Sequence, residues 1–355
     1  MQLERFAIDD SLLEAAPARV TESQACVLLK QYYALGGELE RLGGERDLNF
    51  RVKLADGSSR LFKLSHPLEN PDVVDFHNGA MRRIEHRDPE LPAQRVHAST
   101  SGEYKVEVEV EGQRMLARLL SFVDGQPLHR IASTSCTFRN NLGQAIARLD
   151  KALEGYNHPA ASHILLWDMQ HAEHLRPLLN HIEKGRQRDM VEKSLDMFER
   201  RVLPKVPGLR KQVIHNDMNP HNIIVDMQDP GILRNILDFG DMVYAPLINE
   251  VAVAAAYQLG LEGDILAPAL DLIASYNDIN PLEKEELEIL PELLATRLAL
   301  ALCINSWRAS LHPENRAYIM RNAQRAWKNL ADLTAISPAQ IQDRIYKACA
   351  QEVRV

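Results

Sequence analysis

The sequence predicts an α+β protein with two lobes, an antiparallel β-sheet lobe followed by a mostly helical lobe. Strand-like runs separated by glycine and aspartate turns fill the first third of the 355 residues, a pattern typical of antiparallel sheets. After residue 123, apolar residues recur mainly at helical spacing. Two short apolar runs, 223–225 and 235–237, interrupt the helices and are adjoined by polar clusters. We therefore place the lobes at residues 1–123 and 124–355.

Composition and charge describe an ordinary globular protein, with 45% hydrophobic and 25% charged residues. The net charge of -8 argues against nonspecific nucleic-acid binding, which needs a basic surface. The start of the chain lacks the basic and apolar regions of a secretory signal, and no apolar run approaches the roughly 18 residues of a membrane span. We expect a cytoplasmic monomer or homodimer without nucleic-acid or membrane partners, whose four scattered cysteines are free thiols.

The first lobe begins with a helix and continues as strands. Residues 21–24, Thr-Glu-Ser-Gln, form a capping-box pattern, and helical spacing follows until the glycines at 36–37. A turn signal at 55–58 and the strict alternation of 104–111 indicate hairpins. Asn-Pro at 70–71 starts a second helix, because proline is accepted in a first turn. The predicted strands are residues 38–42, 49–54, 60–64, 104–111 and 113–122.

The second lobe is predicted as helices around the two short strands. The segment 123–127, Val-Asp-Gly-Gln-Pro, ends the strand pattern and indicates a hinge between the lobes. If a nucleotide binds between the two lobes, its base would lie beside this hinge, and Leu119 to Val123 are expected to face it. The predicted helices are residues 136–153, 163–184, 189–202, 247–261, 264–276, 283–310, 313–332 and 338–350.

Two polar clusters carry the chemistry. Residues 215–222, HNDMNPHN, and 238–241, DFGD, match the protein-kinase pattern H-x-D-x-x-x-x-N followed by D-F-G. Phosphoryl transfer needs a group at the acceptor hydroxyl and a divalent cation on the phosphates. Asp217 suits the first task, and oxygens of Asn222 and Asp238 suit Mg²⁺. Either half alone could be a capped β-hairpin, but both in this order predict a phosphotransferase that uses Mg²⁺ and ATP or GTP.

The first lobe offers residues for the nucleotide phosphates. Gly43 and Gly44 lie in a loop between strands, where backbone N–H groups can cover phosphates, although a plain hairpin loop has the same pattern. Lys63 follows on a strand that is otherwise apolar; it is either an edge residue or the lysine that holds the α- and β-phosphates. Such a lysine needs an acidic partner from the next helix. We choose Asp75, with a solvated helix charge as the alternative.

The chain as a whole resembles the aminoglycoside phosphotransferase and choline kinase family, which has a bilobal protein-kinase-like fold. HNDMNPHN followed by LDFGD carries the resemblance, with Asn216 where protein kinases usually place arginine. A peptide-recognition segment ending in A-P-E is missing. Within the family, the segments that look most like the hydroxylysine kinase branch are GGERDLNF, NPDVVDFHN, LLWDMQH and DFGDMVYAPLINEVAVAAAY. That branch phosphorylates a hydroxyl group on an amino acid and is associated with GTP.

Carried over by position, the resemblance implies a role for each matching residue. The implied roles are catalytic base or hydroxyl-positioning residue for Asp217, loop brace for His215, magnesium ligand for Asn222 and Asp238, phosphate ligand for Lys63 and partner of that lysine for Asp75. An aspartate at the last position departs from the commoner glutamate, and its shorter side chain requires a closer helix.

The acceptor pocket is predicted only by class of residue. An amino acid brings an ammonium and a carboxylate, so the pocket should hold acids and an arginine. The candidates are Asp168, Asp241 and Glu250 for the ammonium, Arg297 and Arg308 for the carboxylate, and Trp307 as a wall; of the acids, Asp241 and Asp168 are our choice. Each could instead be an ordinary ion pair or packing residue.

Three hypotheses remain open at this stage. The first is a small-molecule kinase acting on a hydroxylated amino acid such as 5-hydroxylysine. The second is a kinase of another alcohol, such as homoserine, choline or an aminoglycoside; choline would call for an aromatic cage, and no aromatic cluster is evident near the motif in the sequence. The third is a nucleotide-binding protein without transferase activity. The intact set of Asp217, Asn222, Asp238 and Lys63 argues against it.

Overall fold

The first lobe is a helix laid against an antiparallel sheet. The computed structural model describes residues 19–44 and 47–350, so most of the predicted lead-in, together with two residues of the glycine loop, lies outside the described residues. Helix α1 (Glu22–Tyr33) begins at Thr21, which forms a reciprocal capping box with Gln24 as predicted. Its buried apolar residues pack on the sheet and form the core of this lobe.

The sheet of the first lobe is antiparallel at every pairing. Its order is β1-β2-β3-β6-β4, and β5 pairs with the first half of the long strand β6. Helix α2 (Pro71–Arg87) lies between β3 and β4 in the chain and is capped by Asn70 with proline in its first turn. The strands are β1 Glu38–Leu42, β2 Leu48–Lys53, β3 Ser59–Leu64, β4 Val96–His97, β5 Val106–Val110 and β6 Gln113–Ser121.

The turn between β2 and β3 sets the register that positions Lys63. The backbone N–H of Gly57 donates to the Leu54 carbonyl, and Gly57 has φ 84°, a conformation that glycine adopts without strain. The turn predicted from residues 55–58 lies in the connection between β2 and β3, where the Leu54 N–H also donates to the Ser58 carbonyl. As a result Asn49 lies opposite Lys63, and Lys63 lies opposite Arg118 of β6.

The chain passes from the first lobe to the second just after β6. Ser121 is the last residue of that strand, and β7 (Gln126–Pro127) already pairs with a strand of the second lobe. A second and larger hydrophobic core occupies the helical lobe and includes Phe76 and Ile84 of α2. The two cores agree with the predicted bilobal α+β architecture, while the boundary at residue 123 stays a prediction.

The second lobe is mostly helical, and three of its predicted helices differ in the structure. Residues 163–184 hold a kinked 3₁₀ segment, Met169–His181, with Pro177 inside it. The helix predicted at 247–261 ends at Ala256, and the one predicted at 313–332 is broken near Met320. The helices are α3 Cys136–Leu153, α4 Arg186–Met197, α5 Ile248–Ala256, α6 Ala267–Ile279, α7 Lys284–Leu311, α8 Arg316–Ile319, α9 Ala323–Thr334 and α10 Pro338–Ala350.

Two small antiparallel sheets carry the polar clusters. One joins β8 (Lys211–Ile214) to β11 (Val243–Pro246), and the other has the order β10-β9-β7, with β9 at Ile223–Val225 and β10 at Leu233–Ile236. The first polar cluster connects β8 to β9, and the second follows β10. Within the part of the chain that the structure describes, no helix combines the length and apolar character needed to cross a membrane.

Candidate active site

His215 fastens the loop between β8 and β9. Its imidazole is fully buried, with Nε2 at 2.9 Å from the Leu237 carbonyl oxygen. Nδ1 accepts a hydrogen bond from the backbone N–H of Asp217 at 3.3 Å. Phe239 packs edge-on against the ring, with centroids 4.8 Å apart. Through these two contacts the imidazole ties the loop to the strand that leads into Asp238.

Asp217 is the carboxylate on which the loop converges. The side-chain amides of Asn219 and Asn222 donate to its Oδ2 at 2.8 and 2.7 Å. Its Oδ1 lies 3.6 Å from Nη2 of Arg297. Burial and then the charge of Asp241 raise the pKa of Asp217 to about 7, although the charge of Arg297 opposes this shift. A carboxylate held by two amides and poised near neutral pH can accept a proton from a hydroxyl group.

Strand pairing brings the two predicted metal ligands together. The backbone N–H of Leu237 donates to the carbonyl of Asn222 at 2.8 Å, continuing the β9–β10 ladder. Asp238 is the next residue, so its backbone follows directly on the end of this ladder. Its backbone is left-handed, with φ 60°, and its Oδ1 accepts a hydrogen bond from the Gly240 N–H at 3.3 Å.

The donor set at this point fits a divalent cation. The side-chain amide nitrogen of Asn222 donates hydrogen bonds to the backbone carbonyl and to the carboxylate of Asp217. Its amide oxygen therefore faces away from Asp217. An amide oxygen and the carboxylate of Asp238 are hard ligands of the kind that Mg²⁺ prefers. The charges of Asp238 and Asp241 both act to raise the pKa of Asp217, and a cation would relieve this repulsion.

Lys63 pairs with Asp47, a residue that the sequence analysis did not single out. Its Nζ lies 2.9 Å from Asp47 Oδ2. Burial acts to raise the pKa of Asp47. The charges of Lys63 and then Arg118 outweigh burial and lower this pKa to about 2. The backbone N–H of His66 also donates to this carboxylate at 3.1 Å. Asp47 is thus held as an anion between two cations of the sheet.

The predicted ion pair between Lys63 and Asp75 is wrong in this structure. Asp75 binds the Nζ of Lys105, which also donates to the Pro71 carbonyl in the first turn of α2 at 2.9 Å. The α2 side chain that reaches the neighbour of Lys63 is Asn78, whose Oδ1 lies 3.4 Å from Nη1 of Arg118. Asp75 therefore pairs with Lys105, the residue before β5, and not with Lys63.

Residues 38–283 match the model of the phosphotransferase enzyme family. This match covers well over half of the chain, from β1 to the residue before α7. The chain belongs to the phosphotransferase enzyme family. It is a small-molecule kinase, a phosphotransferase with an alcohol group as acceptor, as the sequence predicts.

Relatives of this kinase support the same conclusion. A hydroxylysine kinase of Mus musculus is 26% identical over 348 residues, which cover 91% of this chain and 92% of the relative. A hydroxylysine kinase of Danio rerio is 25% identical, and the match covers 96% of this chain and 99% of the relative. The solved amicoumacin kinase, a complex with AMP-PNP and Ca²⁺, has a TM-score of 0.67 at 16% identity and covers 91% of this chain and 97% of its own. The predicted protein-kinase-like α+β fold is confirmed.

An arginine held between two aromatic rings borders the catalytic loop of the kinase. The Cζ atom of Arg297 lies 5.2 Å from the ring centroid of Trp167 and 5.6 Å from that of Tyr257. Its Nη2 also donates to the Tyr257 hydroxyl at 3.3 Å. No aromatic cluster is evident near the motif in the sequence, but in the fold Trp167 and Tyr257 reach Arg297 from segments far from one another in the sequence.

Trp307 and Arg308 lie elsewhere on α7. They follow Arg297 by ten and eleven residues, which is about 15 Å along a helix axis. Trp307 is 7% exposed and belongs to the hydrophobic core of the helical lobe. The roles of Trp307 and Arg308 at the acceptor stay predictions.

Of the three acids predicted for the acceptor ammonium, Asp241 lies near Asp217, whereas Asp168 and Glu250 accept hydrogen bonds from the protein itself. Asp241 lies near enough to Asp217 for its charge to raise the pKa of that residue. Asp168 is buried, caps the 3₁₀ segment through the Gln170 N–H and accepts a further bond from the Gln170 side chain at 2.6 Å. Glu250 is also fully buried and accepts a hydrogen bond from the backbone N–H of Asn216 at 2.9 Å.

The predicted hinge residues also have different surroundings. Leu119 is 3% exposed, packs in the core of the first lobe, and is paired with Phe62 on one side and His97 on the other. Its backbone is therefore part of the sheet. Val123 lies beyond the end of β6, in the half-buried connection between the lobes. Contact between Val123 and a nucleotide base stays a prediction.

Glu250 is expected to stabilise the catalytic loop. Asn216 has a left-handed backbone, with φ 65°, and its N–H is satisfied by Glu250. Glu250→Ala leaves that buried N–H without an acceptor and is expected to lower the free energy of unfolding by about 1–3 kcal/mol, with a fall in kcat. Urea denaturation and steady-state kinetics measure both. Glu250→Gln keeps an acceptor oxygen and is the control; equal losses for the two variants would contradict this role.

Gly44 is expected to be essential for the conformation of the glycine loop. A Cβ atom there would lie 2.5 Å from the Asp47 carbonyl oxygen and 2.6 Å from Nδ2 of Asn49, whereas one on Gly43 would meet nothing within 4 Å. Gly44→Ala must displace the partner of Lys63, so we expect the KM for the nucleotide to rise about tenfold, equivalent to about 1.4 kcal/mol. Gly43→Ala is the matched control. An equal rise for both would show that loop flexibility, and not this clash, matters.

Proposed function

We propose that this kinase transfers the γ-phosphoryl group of ATP or GTP to a hydroxyl group of an amino acid, with 5-hydroxylysine as the proposed acceptor. The observation that carries the proposal is the position of Asp217. Of the proposed metal ligands, Asn222 donates to Oδ2 of its carboxylate and Asp238 is near enough for its charge to act on it, while the buried cation of Arg297 lies 3.6 Å from Oδ1. The similarity to hydroxylysine kinases along nearly the whole chain supports the acceptor class.

The residues divide the reaction between them. The acceptor hydroxyl lies against Asp217, and its oxygen forms a bond to the γ-phosphorus while the bond from that phosphorus to the β,γ-bridging oxygen breaks. The hydroxyl proton passes to the carboxylate of Asp217, and the nucleoside diphosphate leaves. Asn219 and Asn222 keep the carboxylate oriented by donating to its Oδ2. Asn222 and Asp238 would hold Mg²⁺, which when bound neutralises charge on the phosphates.

The nucleotide side of the site is proposed in the first lobe. Lys63 would bind the α- and β-phosphates, with Asp47 fixing its position in place of the residue expected from α2. Gly43 and Gly44 would cover the phosphates through their backbone N–H groups. Val123 would lie beside the base.

Choline is a poorer fit as acceptor than an amino acid. A trimethylammonium group binds between aromatic rings, and here Trp167 and Tyr257 form such a pair. The guanidinium of Arg297 already lies against both rings, so the pair is filled by a cation of the protein. The same cation repels any acceptor that brings only a positive charge.

The test is a screen of nucleotide consumption with Mg²⁺, using ATP and GTP in parallel. The acceptors are 5-hydroxylysine, homoserine, choline, ethanolamine and an aminoglycoside panel, and mass spectrometry identifies the phosphorylated product. We expect turnover on 5-hydroxylysine that Asp217→Asn abolishes. Turnover confined to another alcohol would reject the acceptor and keep the kinase. Nucleotide hydrolysis that no acceptor accelerates would reject the proposed function.

A further inference from the structure

Arg297 is a buried cation with unused hydrogen-bonding capacity. The residue is 2% exposed. Its Nη2 donates to the Tyr257 hydroxyl and lies 3.6 Å from Asp217, which is long for a hydrogen bond. Among the described residues, Nε and Nη1 have no hydrogen-bond partner. A guanidinium has five N–H donors, so most of this group's capacity is not matched by the protein.

Keeping such a group in the fold is costly. Burying a charge without full pairing disfavours folding, and a leucine or methionine of similar size would pack between two rings without that cost. Stability therefore does not explain an arginine at this position. Its place beside Asp217, the residue that receives the acceptor hydroxyl in the proposed function, suggests an anion supplied by the acceptor.

The aromatic cage fixes the direction in which Arg297 can bind. Contacts with Trp167 and Tyr257 restrict the guanidinium and favour its charged state, leaving the Nη2 edge toward Asp217. The Tyr257 hydroxyl accepts from Nη2 at 3.3 Å, so its own proton is directed elsewhere and can be donated. The N–H groups of this guanidinium, of which those on Nε and Nη1 have no partner among the described residues, and the Tyr257 O–H are donors that suit the two oxygens of a carboxylate.

We propose that Arg297 and Tyr257 bind the carboxylate of the acceptor and make this kinase select amino acids over amino alcohols that lack a carboxylate. The inference rests on the proposed function, since it uses the same site. Nη2 lies 3.6 Å from Asp217. With one ordinary hydrogen bond from Asp217 to the acceptor hydroxyl and one from Nη2 to the acceptor carboxylate, these two groups of the acceptor lie within about 9 Å of each other. A hydroxyl on the side chain of a free amino acid meets this limit, whereas a peptide or an aminoglycoside offers no such carboxylate.

The first test compares two acceptors that differ only in the carboxylate. These are 5-hydroxylysine and its decarboxylated analogue 1,5-diaminopentan-2-ol, for which kcat/KM is measured with wild type and variants. A charge-assisted bond predicts that wild type prefers 5-hydroxylysine by about 10- to 100-fold. Arg297→Met should bring this preference close to one. Tyr257→Phe keeps the ring and should reduce the preference about threefold to tenfold. This milder variant tests the proposal even if Arg297→Met does not fold.

The matched control is Arg321→Met. Arg321 is an exposed arginine with Nη2 at 3.5 Å from Nε2 of His221 in the catalytic loop, and its charge also acts on Tyr257, so it is a competing ligand for a carboxylate. Its removal should leave the preference unchanged. A preference that vanishes in Arg321→Met but persists in Arg297→Met would overturn the proposal. So would equal losses on both acceptors in Arg297→Met and Tyr257→Phe, which would mean that these residues only support Asp217.

A binding measurement separates this inference from the proposed function. Calorimetry with L-lysine and cadaverine, which lack the reactive hydroxyl, reports the carboxylate contact without turnover. We expect L-lysine to bind wild type about tenfold more tightly than cadaverine, and the difference to disappear in Arg297→Met. Equal binding of the two ligands by wild type rejects the carboxylate site. Preference for L-lysine without any phosphorylation of 5-hydroxylysine keeps the site and rejects the reaction.

Discussion

Asp217→Asn is expected to lower kcat by about 10²- to 10⁴-fold, the usual contribution of a general base. The amide has the same shape and can still accept bonds from Asn219 and Asn222, so the loop keeps its conformation. What it loses is the ability to take the hydroxyl proton. Because the nucleotide is held by other residues, its KM should change little. Steady-state kinetics with 5-hydroxylysine, or with whichever acceptor the screen identifies, gives both constants.

Asn219→Ala is the matched control for Asp217→Asn. It removes one of the two amide bonds to Oδ2 but leaves the carboxylate, so kcat should fall by about tenfold or less. Thermal unfolding should be similar for the two variants. If Asp217→Asn retained more than a tenth of wild-type kcat, Asp217 would serve only to position the acceptor. If Asn219→Ala were as inactive as Asp217→Asn, the loss would reflect a displaced loop.

The catalytic side of the site could be predicted because its geometry is local. Asp217 and Asn222 share one loop, and the register of a single strand pair brings Asp238 beside them. A motif with fixed spacing contains this information. The sequence could not show that Glu250 accepts a hydrogen bond from the loop backbone. A glutamate close to the motif is equally consistent with binding the ammonium of the acceptor.

The acceptor side could not be predicted for the opposite reason. Trp167, Tyr257 and Arg297 come from three segments separated by tens of residues, and their meeting depends on how α7 packs against the 3₁₀ segment and the end of α5. No spacing in the sequence records this packing. The choice of Trp307 and Arg308 followed from residue type alone, and helix geometry places them about 15 Å from Arg297.

The partner of Lys63 was expected on the next helix, whereas the structure supplies it from the residue before β2. Which side chains share a face of β2 and β3 depends on the register of the two strands, because a slip of one residue reverses the faces. The three-residue turn that ends at Gly57 places Asn49 opposite Lys63. Asp47, two residues earlier, is then on the same face as Lys63 and diagonal to it. Because the expected partner was an acid on the next helix, this register did not enter the choice of Asp75.

Lys63→Met is expected to lower kcat/KM for the nucleotide by about 10²- to 10³-fold, as for loss of one donor that stabilises charge in a transition state. Asp47→Asn should lower it by about tenfold or more, because Lys63 and Arg118 lose their shared anion and Lys63 is no longer fixed. Asp75→Asn breaks only the pair with Lys105 and should change kcat/KM less than twofold. Steady-state kinetics at varied nucleotide concentration measures all three.

A double-mutant cycle distinguishes positioning by Asp47 from a general effect on the fold. If Asp47 acts through Lys63, then Asp47→Asn in the Lys63→Met background should cause little further loss, since the group that it positions is already gone. Additive losses would mean that Asp47 contributes independently. A larger loss for Asp75→Asn than for Asp47→Asn would show that α2 supplies the partner of Lys63 when the nucleotide is bound, and that the pair in this structure exchanges during turnover.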